Sequence, residues 1–310
     1  MAKKITNVAV AGATGKVGMA VLAALLDRDF NVTALLRKPT DALPEGVNCK
    51  VIDFASEAAV VSALQGQDAV IDTTPPNIGA HVAANLISAS VAAGVQRFIP
   101  SHFATNPDNA KTAVVPLFRD HKQPPYALVR KAAAESDLTY TLVACGTLIN
   151  LALSSGIQGI SAPHKKLKLF YGGTTVNSWT TLSAVGQATA EVLLHLDETR
   201  NRTVFVSSIV KSQLQVAELA KAALGSEGWQ EEAADAGADY LAAVAAWETG
   251  QQDITIVRAL IRHVTWSPEM MELPWPGNDN ELLGVKAMDD GEVKALIKFL
   301  ATLKNVPDLF

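Results

Sequence analysis

The chain is short of the residues that would announce metal binding, disulfide scaffolding or secretion. Its 310 residues hold two cysteines, Cys49 and Cys145, and six histidines. No pair of these has metal-ligand spacing, so no metal site is expected, and two isolated cysteines make no disulfide framework. Charge of neither sign dominates. Lys and Arg number 26 against 31 Asp and Glu, a net −5 with pI near 5.7, a balance that favours neither nucleic acid nor an anionic membrane as partner. No unbroken apolar run reaches the roughly 20 residues that a membrane helix needs. Met1-Ala2-Lys3-Lys4 leads into a strand pattern and not into the apolar core of a secretory leader, so a cytoplasmic location is expected. Aromatic residues are scarce at 6%, and all five tryptophans (Trp179, Trp229, Trp247, Trp266, Trp275) fall after residue 150. Some of them are expected to line an apolar pocket and most simply to pack. Repeats and low-complexity linkers are absent. The 49% hydrophobic content excludes a disordered chain, and the length allows a large core.

What is present begins at residue 5. Residues 5–11 read as a buried parallel strand, and the apolar residues after Gly18 read as a crossover helix. Between them lies Gly12-Ala13-Thr14-Gly15-Lys16-Val17-Gly18. In a strand–turn–helix of this kind the first glycine permits the tight turn. The second lets backbone approach a pyrophosphate, and the third lets helix and strand pack closely. The free N–H groups of the helix then face the phosphates, with Thr14, Lys16 and Val17 beside them. A receptor for NAD usually ends the second strand with Asp or Glu, to hold the ribose 2′-hydroxyl. Here Leu36-Arg37-Lys38 stands at that place, and no carboxylate follows until Asp41. A guanidinium binds a 2′-phosphate with two charge-assisted hydrogen bonds, so the expected cofactor is NADP(H).

Strand signals at 5–11, 31–36, 49–53, 69–73, 96–100 and 139–144 alternate with helix signals at 16–28, 56–65, 79–93 and 125–136. That alternation predicts an α/β fold of the Rossmann type, a doubly wound parallel sheet with helices on both faces. Loops at strand ends should share one mouth with the glycine turn: Asp53-Phe54, Thr73-Thr74-Pro75-Pro76, Ser101-His102-Phe103 and Gly146-Thr147-Leu148. Asp53, Phe54, Thr74, Pro75, Ser101 and Phe103 therefore join the expected cofactor contacts. After about residue 150 the pattern changes. Strand-like 167–171, helices at 183–196, 213–223 and 289–303, a returning strand near 203–208, and an alanine-rich helical stretch over 226–248 broken at Gly228 and Gly237 suggest a smaller α/β substrate-binding cap. Residues 1–150 would bind the nucleotide, and 151–310 would bind substrate while interwoven with the sheet.

Hydride transfer usually needs one proton donor near the nicotinamide. Short-chain reductases commonly use Tyr and Lys four apart. None of Tyr126, Tyr140, Tyr171 and Tyr240 has Lys four positions on, and Tyr126 has Arg130 there. The candidates are Lys122, as a proton donor or a solvated loop lysine; Tyr126, as a donor or a packed aromatic; and His102, as a titrating group or a hydrogen-bonded structural residue.

These residues resemble the NmrA-like, isoflavone-reductase-like family of atypical short-chain dehydrogenases/reductases, in its fungal form. The likeness lies in the glycine turn, Leu36-Arg37-Lys38, Arg97-Phe98-Ile99-Pro100-Ser101-His102-Phe103, Leu138-Thr139-Tyr140-Thr141-Leu142-Val143 and Gly277-Asn278-Asp279-Asn280-Glu281-Leu282-Leu283-Gly284. The resemblance implies NADPH-dependent reduction of aromatic secondary metabolites, with a lysine as central catalytic group. Counting forward from Phe118 puts that lysine at Lys122; counting back from Tyr140 puts it at Tyr126. Lys122 keeps the residue type, and Pro124-Pro125 reads as an insertion. The family's Ser-Glu-Phe-Gly is here Ser101-His102-Phe103-Ala104. The expected activity is an NADPH-dependent oxidoreductase acting on a small apolar or aromatic carbonyl or enone, as a monomer or homodimer. Two other readings stay open: a non-catalytic NADP(H) sensor of NmrA type, and an isomerase or dehydratase on the same fold.

Overall fold

The computed structural model describes residues 4–270, 275, 277–304 and 306–308, with backbone alone for 76–80. Met1, Ala2 and Lys3, on which the leader reading rests, lie outside the described residues. Seven parallel strands form the central sheet. Six are β1 (Asn7–Ala11), β2 (Asn31–Leu36), β3 (Asn48–Val51), β4 (Ala69–Asp72), β5 (Arg97–Ile99) and β6 (Thr139–Ala144), and the seventh is Arg202–Phe205. In space the order is Arg202–Phe205, β6, β5, β4, β1, β2, β3. The chain winds outward from β1 to β3 and then crosses back to β4, so the winding reverses between β1 and β4. Ligands of such sheets bind in the crevice at that reversal.

The five inner strands are buried on both faces, whereas the edge strand β3 is largely exposed. Val8 and Val10 of β1 pack on one side, with α1 (Lys16–Leu26) and the helix Leu182–Val192. Ala9 and Ala11 pack on the other, with α2 (Glu57–Leu64), α3 (Pro76–Ala92) and α6 (Gln123–Glu135). The alternation of strand side chains thus splits the core into two apolar layers. The expected strands and helices of the first half are all present, with ends shifted by a few residues.

Two short helices, α4 (Ala110–Ala113) and α5 (Pro116–His121), lead into α6. Pro124 and Pro125 occupy the first turn of α6, where a missing N–H costs nothing. Val115, Leu117 and Phe118 are covered by the helices Ala236–Glu248 and Ile254–Trp266. A second core joins the helix Ile149–Ser155 to Gln213–Leu224 and Asp290–Ala301 around Trp179 and Trp266, whose rings lie 5.3 Å apart.

The late stretch 277–284 covers the outer edge of Arg202–Phe205. Asp279 N donates to Phe205 O (2.7 Å), Phe205 N donates to Asp279 Oδ2 (2.8 Å), and Leu283 is buried. An edge strand is thereby shielded from pairing with another chain.

Several expectations for the second half need correction. The strand expected over 167–171 is Lys166–Lys168, after which the chain turns through a 3₁₀ segment at Phe170–Gly173 with Tyr171 at φ 49°. The expected alanine-rich helix over 226–248 begins with a strand, Gln230–Glu232, paired to Lys166–Lys168. Its helix is Ala236–Glu248, and Gly237 lies inside it, not at a break. Asp235 caps that helix by accepting from Ala238 N, so Gly237 falls in the first turn, where glycine is tolerated. The helix Ile254–Trp266 was not expected.

Candidate functional site

The glycine turn sits at the reversal between β1 and β4. Gly12 has φ +73°, and a Cβ there would lie 2.6 Å from the Thr73 carbonyl carbon. A Cβ at Gly18 would run into Gly12 O, so glycine lets α1 approach the turn. Gly15 begins α1 with no side-chain cap, and the first turn carries no acid. The N–H groups there point out without a carboxylate to compete for them, as a phosphate cradle requires. Beside the turn opens a cavity of about 240 Å³. Gly12, Thr14, Gly15, Arg37, Phe54, Thr74 and Pro75, all expected cofactor contacts, line it. Leu36 and Thr73, from the expected strand-end motif and mouth loop, line it too, as do Leu35 and Val82, which the sequence did not point to.

Other expected cofactor residues lie elsewhere. Lys16 and Lys38 are exposed near the rim, and Val17 and Gly18 pack inward at the base of α1. The Asp53 carboxylate accepts from Ala55 N (2.9 Å) in its own turn. Phe103 is buried in the core with φ 35°. Ser101 Oγ donates to Thr74 O (2.7 Å), tying the loop after β5 to the loop after β4.

Lys122 is not a solvated loop residue. It stands at the corner between α5 and α6, and its Nζ donates to Ser101 O (2.6 Å). It is 9% exposed, and burial brings its pKa down to about 8, against the opposing pull of Asp72 and Cys145. It faces a second cavity, of about 20 Å³, shared with Asp72, Thr74, Ser101, His121 and Tyr126. Thr74 lines both cavities, so the lysine's chamber adjoins the glycine-turn cavity.

His102 and Tyr126 are tied to each other. The Thr105 carbonyl can only accept, so His102 Nε2 carries the proton toward it. His102 Nδ1 then accepts from Tyr126 Oη. Burial above all, with the Lys122 charge adding to it, lowers the His102 pKa to about 3. Burial raises that of Tyr126 well above its usual value. Both ring nitrogens and the phenol are engaged, in a neutral buried pair.

A larger groove of about 580 Å³ opens at the opposite, amino-terminal ends of β5 and β6. Its buried Arg97 donates to Thr139, Thr141 and Thr199 hydroxyls and to Leu196 O, which is a structural clamp. Four of the five tryptophans are otherwise occupied. Trp179 and Trp266 are fully buried, Trp247 Nε1 donates to Asp120 Oδ2 (2.8 Å), and Trp229 Nε1 donates to Gly225 O (2.9 Å).

A family model described as NAD(P)H-binding matches residues 12–175, which include the glycine turn, the Lys122 corner and β6. The chain belongs to the NAD(P)H-binding family. Over 300 residues this NAD(P)H-binding protein is 30% identical to oxidoreductase poxI of Penicillium oxalicum, with 93% of this chain and 92% of the relative covered. Its fold is similar to leucoanthocyanidin reductase with NADPH from Vitis vinifera (TM-score 0.77, 18% identity, 96% of this chain and all of that one). It is also similar to AtPrR2 with NADP⁺ and (+)pinoresinol (TM-score 0.73, 17% identity, 97% of this chain and all of that one). Such identities show the fold. The fungal relative places the chain in an oxidoreductase family. Among the described residues no helix is long and apolar enough to cross a membrane, and no cluster of His, Cys, Asp and Glu has the makings of a metal site.

Proposed function

We propose that this protein is an NADPH-dependent reductase of a small apolar, aromatic carbonyl or enone, with Lys122 as the proton donor. The observation that carries the reading is the buried lysine, with a pKa of about 8, in a chamber that shares Thr74 with the glycine-turn cavity. NADPH, when bound, supplies the hydride. Gly12, Thr14, Gly15 and the start of α1 would hold its phosphates, and Arg37 its 2′-phosphate, since no acid stands at the end of β2. A group that titrates close to neutral pH can give up a proton readily and be recharged. The Ser101 carbonyl fixes the ammonium in place, and the His102–Tyr126 pair holds the loop after β5 against α6.

One observation favours a second reading, an NADP(H) sensor without turnover: the chamber beside Lys122 measures about 20 Å³, too small for an aromatic substrate unless the cap moves. Consumption of NADPH with trans-chalcone (an aromatic enone) and menadione (a naphthoquinone) separates the two. The reductase reading expects catalysed consumption of NADPH in preference to NADH. NADPH binding with no consumption above the uncatalysed rate would overturn it in favour of the sensor.

A further inference from the structure

The small chamber contains more polar chemistry than proton donation by Lys122 requires. Asp72, at the end of β4, is 1% exposed. Its Oδ1 accepts from Thr74 N (2.9 Å) and Thr74 Oγ1 (2.7 Å), while its buried Oδ2 has no hydrogen-bond partner among the described residues. His121, the last residue of α5, is half-buried with its ring edge-on to Trp247, the centroids 5.4 Å apart. Its Nε2 is likewise buried and without a partner among the described residues. Asp72, His121 and Lys122 all line the same cavity of about 20 Å³. A buried water needs roughly 10–15 Å³ and two to four polar partners. A buried polar atom left unsatisfied costs about 1–3 kcal/mol, so two such atoms at one cavity call for an explanation.

The geometry points to a one-water proton relay, in which a water bridges Asp72 Oδ2, His121 Nε2 and Lys122 Nζ and recharges Lys122 from the His121 side after each turnover. The inference rests on the reading of Lys122 as proton donor. In the donating step one Nζ–H bond breaks as an O–H bond forms on the substrate, leaving a neutral amine. The amine lone pair then takes a proton from the water, the water takes one from His121 Nε2–H, and His121 Nδ1 gains one from solvent in the same relay, so the ring stays neutral and tautomer exchange with solvent resets it. No electrons change hands. Asp72 accepts the water's other hydrogen and fixes its orientation, so Asp72 and His121 are positioning residues acting through Lys122.

The other titratable groups around Lys122 are less suited. Tyr126 on α6 has its proton committed to His102, and the His102 ring is engaged at both nitrogens. Burial holds the Cys145 thiol, after β6, up to about 12. Arg130 on α6 is paired with Asp108 (2.5 Å). Burial raises the Asp72 pKa, while the nearby Lys122 charge opposes the rise.

The experiment has a structural arm and a kinetic arm. A crystal structure of the NADP⁺-bound protein should show one ordered water within about 3.2 Å of all three atoms; an apolar void there overturns the relay. Lys122 titration, followed by NMR of ¹³C-methylated lysine, should move below the wild-type midpoint in Asp72→Asn, because the carboxylate that favours the ammonium is gone; no movement overturns the bridge. In the kinetic arm, His121→Gln keeps a hydrogen bond to the water but cannot relay its proton. It should lower kcat with menadione or trans-chalcone by about tenfold, less than the 10²–10⁴ typical of losing the acid itself, with KM for NADPH unchanged. Free imidazole should restore part of the rate in His121→Ala, which a packing defect would not allow. Wild-type kcat in both variants overturns the relay. A wild type that binds NADPH and reduces neither probe overturns the reductase reading; the water and the Asp72→Asn titration then still decide whether the bridge exists.

Discussion

The buried pair of His102 and Tyr126 makes acid sensitivity a direct readout of the site. His102 is neutral because Thr105 O takes its one N–H and Tyr126 gives it another proton to accept. Burial makes a charged ring costly there, and the nearby Lys122 charge adds to that cost, so its pKa falls from 6.5 to about 3 on folding. A depressed histidine contributes stability that is fully present above its unfolded pKa and is lost as pH drops toward the folded value. At about 1.36 kcal/mol per unit the whole drop is worth about 5 kcal/mol, of which about 3 is gone at pH 4.5. Urea unfolding of wild type and His102→Gln at pH 7 and pH 4.5 isolates this group, since other titrations are common to both proteins. Wild type should lose about 3 kcal/mol more than the variant between the two conditions. Equal losses would refute the buried neutral histidine. If His102→Gln does not fold, imidazole ¹⁵N shifts of wild type serve instead: the Nε2–H tautomer should persist at pH 4.5, and an imidazolium there would refute the reasoning.

Three further outcomes are expected. Gly12→Ala forces a Cβ into the Thr73 backbone at positive φ, so it should lower stability by about 1–3 kcal/mol and abolish NADPH binding in a calorimetric titration. Arg37→Ala should weaken NADPH by roughly tenfold to a hundredfold, the worth of charge-assisted hydrogen bonds, and leave the NADH dissociation constant unchanged; equal weakening of both would remove Arg37 from the 2′-phosphate. Arg97→Met removes four hydrogen bonds, to three threonine hydroxyls and the Leu196 carbonyl, at the far end of the sheet, so it should lower Tm by several degrees while NADPH affinity of the folded protein stays the same; altered affinity would make that groove part of the site.

The nucleotide half was legible because its signals are local. Buried parallel strands such as Val8–Ala11 are read from a few neighbouring residues, and the glycine spacing lies between adjacent elements. Arg37 was found for the same reason: one strand end and one absent acid mark the position. The lysine chamber was only partly legible. Lys122 was singled out by residue type, yet its burial depends on the ends of β4 and β5 and on α3 meeting the α5–α6 corner, from as much as fifty residues away. Asp72 passed unnoticed as the tail of an apolar strand, and a strand-end Asp with no turn glycine after it was the available signal. His121 offered none, since its cavity exists only where the ends of β4 and β5 meet α3 and the α5–α6 corner. Tyr171 misled because four preceding strand-like residues conceal a turn that the glycines at 172 and 173 drive.

The central claim is that Lys122 gives the proton in an NADPH-dependent reduction, and replacing it tests that claim most directly. Lys122→Met removes the ammonium and keeps the length of the side chain. Turnover with trans-chalcone or menadione should fall by about 10²–10⁴, with the NADPH dissociation constant unchanged. Wild-type turnover in Lys122→Met would contradict the account.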